Sequence, residues 1–123
     1  FNARVAGNII NEDILGSLEY ACKLAGSRLI LVLGHTACGA VTAACILVEL
    51  GNITTLLSNI SPAVEFFGNA STEVDEVAGQ NVRMNFQRIR EESEILAEME
   101  SIGEIQIQGA MYDVATGKVT LLD

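Results

Sequence analysis

Hydrophobic and polar positions follow three different rhythms along these 123 residues, and each predicts its own kind of element. In "EDILGSLEYACKLAG", Leu15, Leu18, Cys22 and Gly26 recur every three to four positions, which predicts an amphipathic helix. Asn11 is a fair N-cap for it, Glu12 and Asp13 suit its positive end, and Gly26 is placed to stop it. "RLILVLG", residues 28 to 34, is continuously apolar, the pattern of a strand covered on both faces in a parallel sheet. "TACGAVTAACILVELG" then carries small and apolar residues at helical spacing and predicts a helix ending at Gly51. Residues 54 to 69 predict helix on either side of Pro62, with a break near Gly68-Asn69.

From Ser71 to Glu100, Val74, Val77, Val82, Phe86, Ile89, Ile95, Leu96 and Met99 stand apolar among charges. They predict one long helix, or two with a kink near Gly79, stopped by Gly103. "EIQIQGAMYDV" alternates as a strand does, and "ATGKVTLLD" predicts a return hairpin about Thr116-Gly117. The opening "FNARVAGN" predicts a short extended segment ended by Gly7-Asn8. Strand, helix, strand, helices, strand: the order predicts an α/β fold with a mainly parallel sheet flanked by helices.

Length and composition narrow this further. Residues 1–123 are enough for one domain with one core, and no linker interrupts them. Half the residues are hydrophobic and the 11 glycines are scattered, which argues against disorder and against a repeat array. The net charge of −9 repels phosphate backbones and anionic membranes, so neither nucleic acid nor a membrane is expected as a partner. The longest apolar run, "GAVTAACILV", is about half the ~20 residues of a membrane helix. No secretory signal shows in the residues given, and three cysteines without a disulfide spacing favour reduced thiols and a cytoplasmic location. The chain opens without methionine, as though cut from something longer.

The chemistry concentrates in "LGHTACGA", residues 33 to 40, which hold the only histidine of the chain. Gly34 and Gly39 have the glycine spacing of a phosphate loop, but Ala40 and Val41 stand where such a loop needs Lys and Ser or Thr. A metal site is the stronger alternative. His35-x-x-Cys38 in one turn brings an imidazole and a thiolate together, and both are good zinc ligands. Against it stands a structural reading, in which His35 hydrogen-bonds a carbonyl and Cys38 is a small buried residue, as Cys22 and Cys45 are. Cys45 cannot join Cys38: seven residues of helix separate them by about 10.5 Å, whereas two sulfurs on one zinc lie under ~5 Å apart. Cys22 is not excluded by spacing. Residue chemistry alone leaves half a zinc site and both readings open.

Four stretches in order, "RVAGN", "GSLEYA", "LILVLGHTACGAV" and "GAMYDVATGKV", resemble the β-class carbonic anhydrases, and the last looks like the bacterial branch. The resemblance covers nearly the whole chain and implies that family's α/β fold and its reaction, zinc-dependent reversible hydration of CO2 to bicarbonate. It implies zinc as cofactor, held by two cysteines and a histidine, with His35 and Cys38 as the histidine and second cysteine. Tyr20 would help line the substrate pocket, and the Gly39 backbone N–H would face bicarbonate or water. A homodimer or a multiple of dimers would be the assembly.

The family's first zinc ligand sits in a Cys-x-Asp-x-Arg motif upstream of Ala6-Gly7-Asn8, which these residues do not include. The chain is therefore expected to be incomplete at its N-terminus, lacking the family's first strand and N-terminal arm. That strand would lie between the segment of residues 1 to 8 and "RLILVLG", so a gap is expected there unless the two elements close up. The alternative reading is a catalytically inactive, metal-poor remnant of the fold that serves as an oligomerising α/β domain.

Overall fold

Helix α1 (Glu12–Glu19) starts as its cap predicts: Asn11 is extended, and its side-chain oxygen accepts the Ile14 N–H at 2.9 Å. The helix then widens into a π-helical turn over Tyr20–Leu24, with the Ala25 N–H reaching back to the Tyr20 carbonyl, and Gly26 ends it at a positive φ. The computed structural model of the protein describes residues 1–68 and 73–123. Beyond α1 follow β1 (Leu29–His35), α2 (Gly39–Cys45), α3 (Gly51–Ser58) and α4 (Ser61–Phe66). The chain is completed by α5 (Val74–Glu92), α6 (Glu94–Ser101), β2 (Gln106–Tyr112) and β3 (Val119–Leu122).

The fold is α/β. β1 pairs parallel with β2, from Leu29 against Gln106 to His35 against Tyr112, and β3 returns antiparallel to β2. The sheet is thus mixed, in the order β1-β2-β3. The hairpin turns where expected: Asp113 Oδ1 accepts the Ala115 and Thr116 N–H groups, and Gly117 takes the positive φ.

Helix α5 organises the interior because two sheet glycines let it come close. A side-chain carbon at Gly34 would lie 2.5 Å from Val82, and one at Gly109 would lie 2.5 Å from Phe86. Along the later part of α5, Val82, Phe86 and Ile89 pack with Leu15, Cys22, Ile30, Val32, Leu96 and Ile107. Near its start, Val77 and Ala78 pack with Ile9, Cys38, Val41, Leu57 and Ile60. No helix among the described residues is long and apolar enough to cross a membrane.

Four expectations are corrected. β1 is not covered on both faces: burial alternates along it, and Leu29, Leu31 and Leu33 remain 56, 44 and 43% exposed. The helix after Cys38 ends at Cys45, not Gly51. Leu47 turns left-handed there, and its N–H and that of Val48 close back onto Ala44 and Ala43, a helix-stop geometry that normally uses glycine. Gly51 instead opens α3.

The long amphipathic segment breaks at Ser93, not near Gly79, which stays inside α5. Ser93 is extended, caps α6 through the Leu96 N–H, and donates its hydroxyl to Glu19 on α1. The expected start of that segment at Ser71 lies outside the described residues, as does Asn69 of the expected break. Pro62 sits in the first turn of α4, with the interruption just ahead of it at Asn59–Ile60.

The fourth correction concerns the opening segment. Val5 is extended, but Ala6–Asn8 form a 3-10 turn, and the segment takes no place in the sheet. It has not closed up against β1. Between Phe1–Ile10 and the outer edge of β1 runs a trough of about 1060 Å3.

Candidate metal centre

The turn from His35 to Cys38 is held from three sides. Thr36 is clamped to the end of β2: its N–H donates to the Tyr112 carbonyl at 3.0 Å, and its hydroxyl oxygen accepts the Val114 N–H at 3.0 Å. Ala37 adopts a left-handed φ of 52°, uncommon for a residue with a side chain, and donates its N–H to Asp75 Oδ1 at 2.9 Å. Cys38 is then the residue that caps α2. Its carbonyl accepts both the N–H and the hydroxyl of Thr42 at 2.9 Å. The chain passes from strand to helix within this turn, and His35 and Cys38 both line the trough.

His35 has a defined tautomer. Its Nδ1 lies 2.7 Å from the Thr36 carbonyl, which can only accept, so in the neutral ring Nδ1 carries the hydrogen and Nε2 the lone pair. His35 is exposed and Cys38 is buried. Gly39, the first residue of α2, also lines the trough, and a side-chain carbon there would meet nothing within 4 Å. Packing within the chain does not require glycine at that position.

The other candidates fall elsewhere. Tyr20 is 55% exposed, with its ring 5.8 Å from that of Phe1, and it is not part of the trough lining. Cys22 touches the trough wall but belongs to the core around Leu15, Ile30 and Val32 and does not converge with His35 and Cys38. Cys45 ends α2, away from the turn. Burial pushes the thiols of Cys22 and Cys45 up, which favours their protonated form.

Two residues near the turn escaped the sequence reading. Asp75 carried only the signal of an acidic first turn on α5. Asn8 lines the trough in a left-handed conformation, and its buried Nδ2 has no hydrogen-bond partner among the described residues. The one available hint for Asn8 was its place after Gly7.

The donor chemistry suits zinc: an imidazole with its second nitrogen already tied to a carbonyl, three residues from a thiol. The number of donors does not reach a catalytic complement. No group of three His, Cys, Asp or Glu side chains converges among the described residues, whereas catalytic zinc sites normally have three protein ligands.

Comparison with known proteins bears on the same residues. A family model described as "Carbonic anhydrase" matches residues 1–119. A carbonic anhydrase of Mycolicibacterium smegmatis is 32% identical over 127 residues, covering 98% of this chain and 62% of its own length. Carbonic anhydrase 2 of Mycobacterium tuberculosis is 31% identical, covering all of this chain and again 62% of its own. The chain thus spans less than two thirds of the curated relatives it matches. The crystal structure of the β-carbonic anhydrase CafA from Aspergillus fumigatus superposes with a TM-score of 0.85 at 27% identity, over 98% of this chain and 62% of that one. With the family model running through the trough, the His35–Cys38 turn, β2 and the turn after it, this chain belongs to the carbonic anhydrase family, in the bacterial branch of its β class.

Proposed function

We propose that the protein reversibly hydrates CO2 to bicarbonate with zinc as cofactor. The observation that carries this reading is the His35–Cys38 turn, which brings a tautomer-fixed imidazole and a thiol to one trough. His35, through Nε2, and Cys38, as thiolate, would hold the ion. When bound, zinc lowers the pKa of water to about 7 and so supplies hydroxide at neutral pH. The chain's own contribution is positional: the Thr36 carbonyl fixes the His35 ring, and the bare α-carbon of Gly39 leaves its backbone N–H free for bicarbonate or water. Tyr20 stands outside the trough lining, beside Phe1, and would border the substrate pocket from that flank. Each hydration also releases a proton. With its single histidine used as a ligand, the chain offers no second imidazole to carry it, so buffer or a carboxylate takes it.

The proposed assembly is a homodimer or a multiple of dimers, which would cover the exposed leucines of β1. The three free thiols fit a reducing cytoplasm.

A second reading is a metal-poor, oligomerising domain of the same fold, and the shortage of a third donor among the described residues favours it for the 123-residue chain by itself. The two are separated by measuring zinc content and stopped-flow CO2 hydration on two forms. One is the 123-residue chain; the other carries a Cys-x-Asp-x-Arg strand ahead of Phe1. The short form is expected to hold zinc weakly, well below one ion per chain, and to hydrate CO2 at background. The extended form is expected to gain both, and His35→Ala or Cys38→Ala in it to remove both, with Cys45→Ala silent. An extended form without zinc or turnover overturns the enzymatic reading. Stoichiometric zinc and fast turnover in the short form would reveal a third ligand not identified here.

A further inference from the structure

We propose that Asp75 is a positioning residue for the metal turn: by accepting the Ala37 N–H, its carboxylate holds the left-handed bend that directs His35 and Cys38 to one ion. The proposal rests on the reading of His35 and Cys38 as ligands.

Of the four residues from His35 to Cys38, the two outer ones carry the donors and the two inner ones set the angle between them. Thr36 is fixed by two hydrogen bonds to the chain at and just past the end of β2. Ala37 is different. Its φ of 52° lies where a side chain crowds the following carbonyl, so the conformation needs an external hold. The hold given to its N–H is Asp75, 38 positions along the chain, on the first turn of α5.

The placement of Asp75 is rigid. Two and three residues further on, Val77 and Ala78 anchor α5 in the core that also contains Cys38 and Val41. One helix therefore supplies both the packing under Cys38 and the acceptor beside it. Asp75 is no ligand itself, because it makes no three-donor group with His35 and Cys38. It acts on the ion only through the turn. Positioning groups of this kind set metal affinity by about 10- to 100-fold in well-studied sites.

The test uses Cd2+, a soft ion whose thiolate bond gives an ultraviolet charge-transfer band, titrated into the 123-residue chain up to concentrations that fill even a weak two-donor site. The parent should show a saturable band that Cys38→Ala abolishes and His35→Ala weakens. Asp75→Ala should raise the Cd2+ dissociation constant about tenfold or more, with at most a small fall in the thermal midpoint, since Asp75 is exposed and gives up one hydrogen bond. Asp75→Asn keeps an oxygen in place for the Ala37 N–H and should restore affinity to near the parent's. A parent band no larger than that of Cys38→Ala would sink the ligand reading and this proposal with it. A normal parent with Asp75→Ala unchanged would overturn the role of Asp75 alone. Asp75→Asn as weak as Asp75→Ala would assign the effect to charge and equally overturn it.

Discussion

Gly109 stands where Phe86 leaves no room for a side chain, with a β-carbon there 2.5 Å from one ring atom and 2.6 Å from the next. An aromatic ring wedged between helix and sheet cannot yield like the tip of a flexible chain. Gly109→Ala is therefore expected to cost about 1–3 kcal/mol, the range for overpacking a filled core. Gly16 is the control. It lies exposed in α1, and a β-carbon there would meet nothing within 4 Å. Gly16→Ala should stabilise by about 0.5–1 kcal/mol through the lower entropy of the unfolded chain. Urea denaturation of both variants checks the pair, and equal effects would mean that α5 does not rest on β2 as described.

Between elements, the strongest polar tie joins α5, α6 and β2. Arg90 donates through Nε and Nη2 to the two carboxylate oxygens of Glu100, at 2.6 and 2.8 Å, and through Nη2 to the Ile107 carbonyl at 3.2 Å. Its guanidinium also lies over the Phe86 ring, 5.3 Å from the centroid. Hydrogen bonding to Arg90 holds the Glu100 carboxyl below the usual range despite partial burial, and the Arg90 guanidinium is raised in turn. The sign follows from linkage. A carboxylate with a lowered folded pKa adds stability fully present above its unfolded value, and this is lost as pH falls through the folded one.

Neutralising the other carboxylates of a chain of net charge −9 relieves repulsion and works the opposite way. The comparison must therefore be between variants. Glu100→Gln should be less stable than the parent at neutral pH, by about 1 kcal/mol for a partly exposed pair. The difference should shrink below the ordinary glutamate range. Parallel melts from neutral pH to about pH 3 test this, the low end lying below the ordinary carboxylate values; a constant difference would mean that the ion pair is not its source.

For the whole molecule, the question is what covers the outer side of β1. Its inner side packs on α5, while Leu29, Leu31 and Leu33 stay exposed and the edge away from β2 borders the trough. A row of apolar side chains beside unpaired backbone is a surface that proteins seldom leave in water. Self-association into dimers or their multiples is expected on that account. Sedimentation velocity at micromolar concentration should show species heavier than the 13.1 kDa chain. A monomer alone would count against the proposed assembly.

What the sequence determined by itself was local: Asn11 as a cap, Gly26 as a stop, the Asp113–Gly117 turn, and the His35-x-x-Cys38 spacing after an apolar strand. Each depends on a side chain meeting backbone a few residues away, so sequence order is enough to see it. The family likeness was legible in the same stretches, and so was the donor shortage, since Cys45 is excluded by helix rise alone. The misread elements were those whose deciding contact or conformation leaves no signal in the local sequence. Ser93 breaks the long helix and also meets Glu19, 74 positions away. Leu47 stops α2 in a conformation its side chain disfavours. The continuous apolar run of β1 gave no sign that only one of its faces would be covered within this chain. Asp75 belongs with these. Nothing in its local sequence points to Ala37, and only the packing of α5 across the sheet brings its carboxylate to the turn that carries His35 and Cys38.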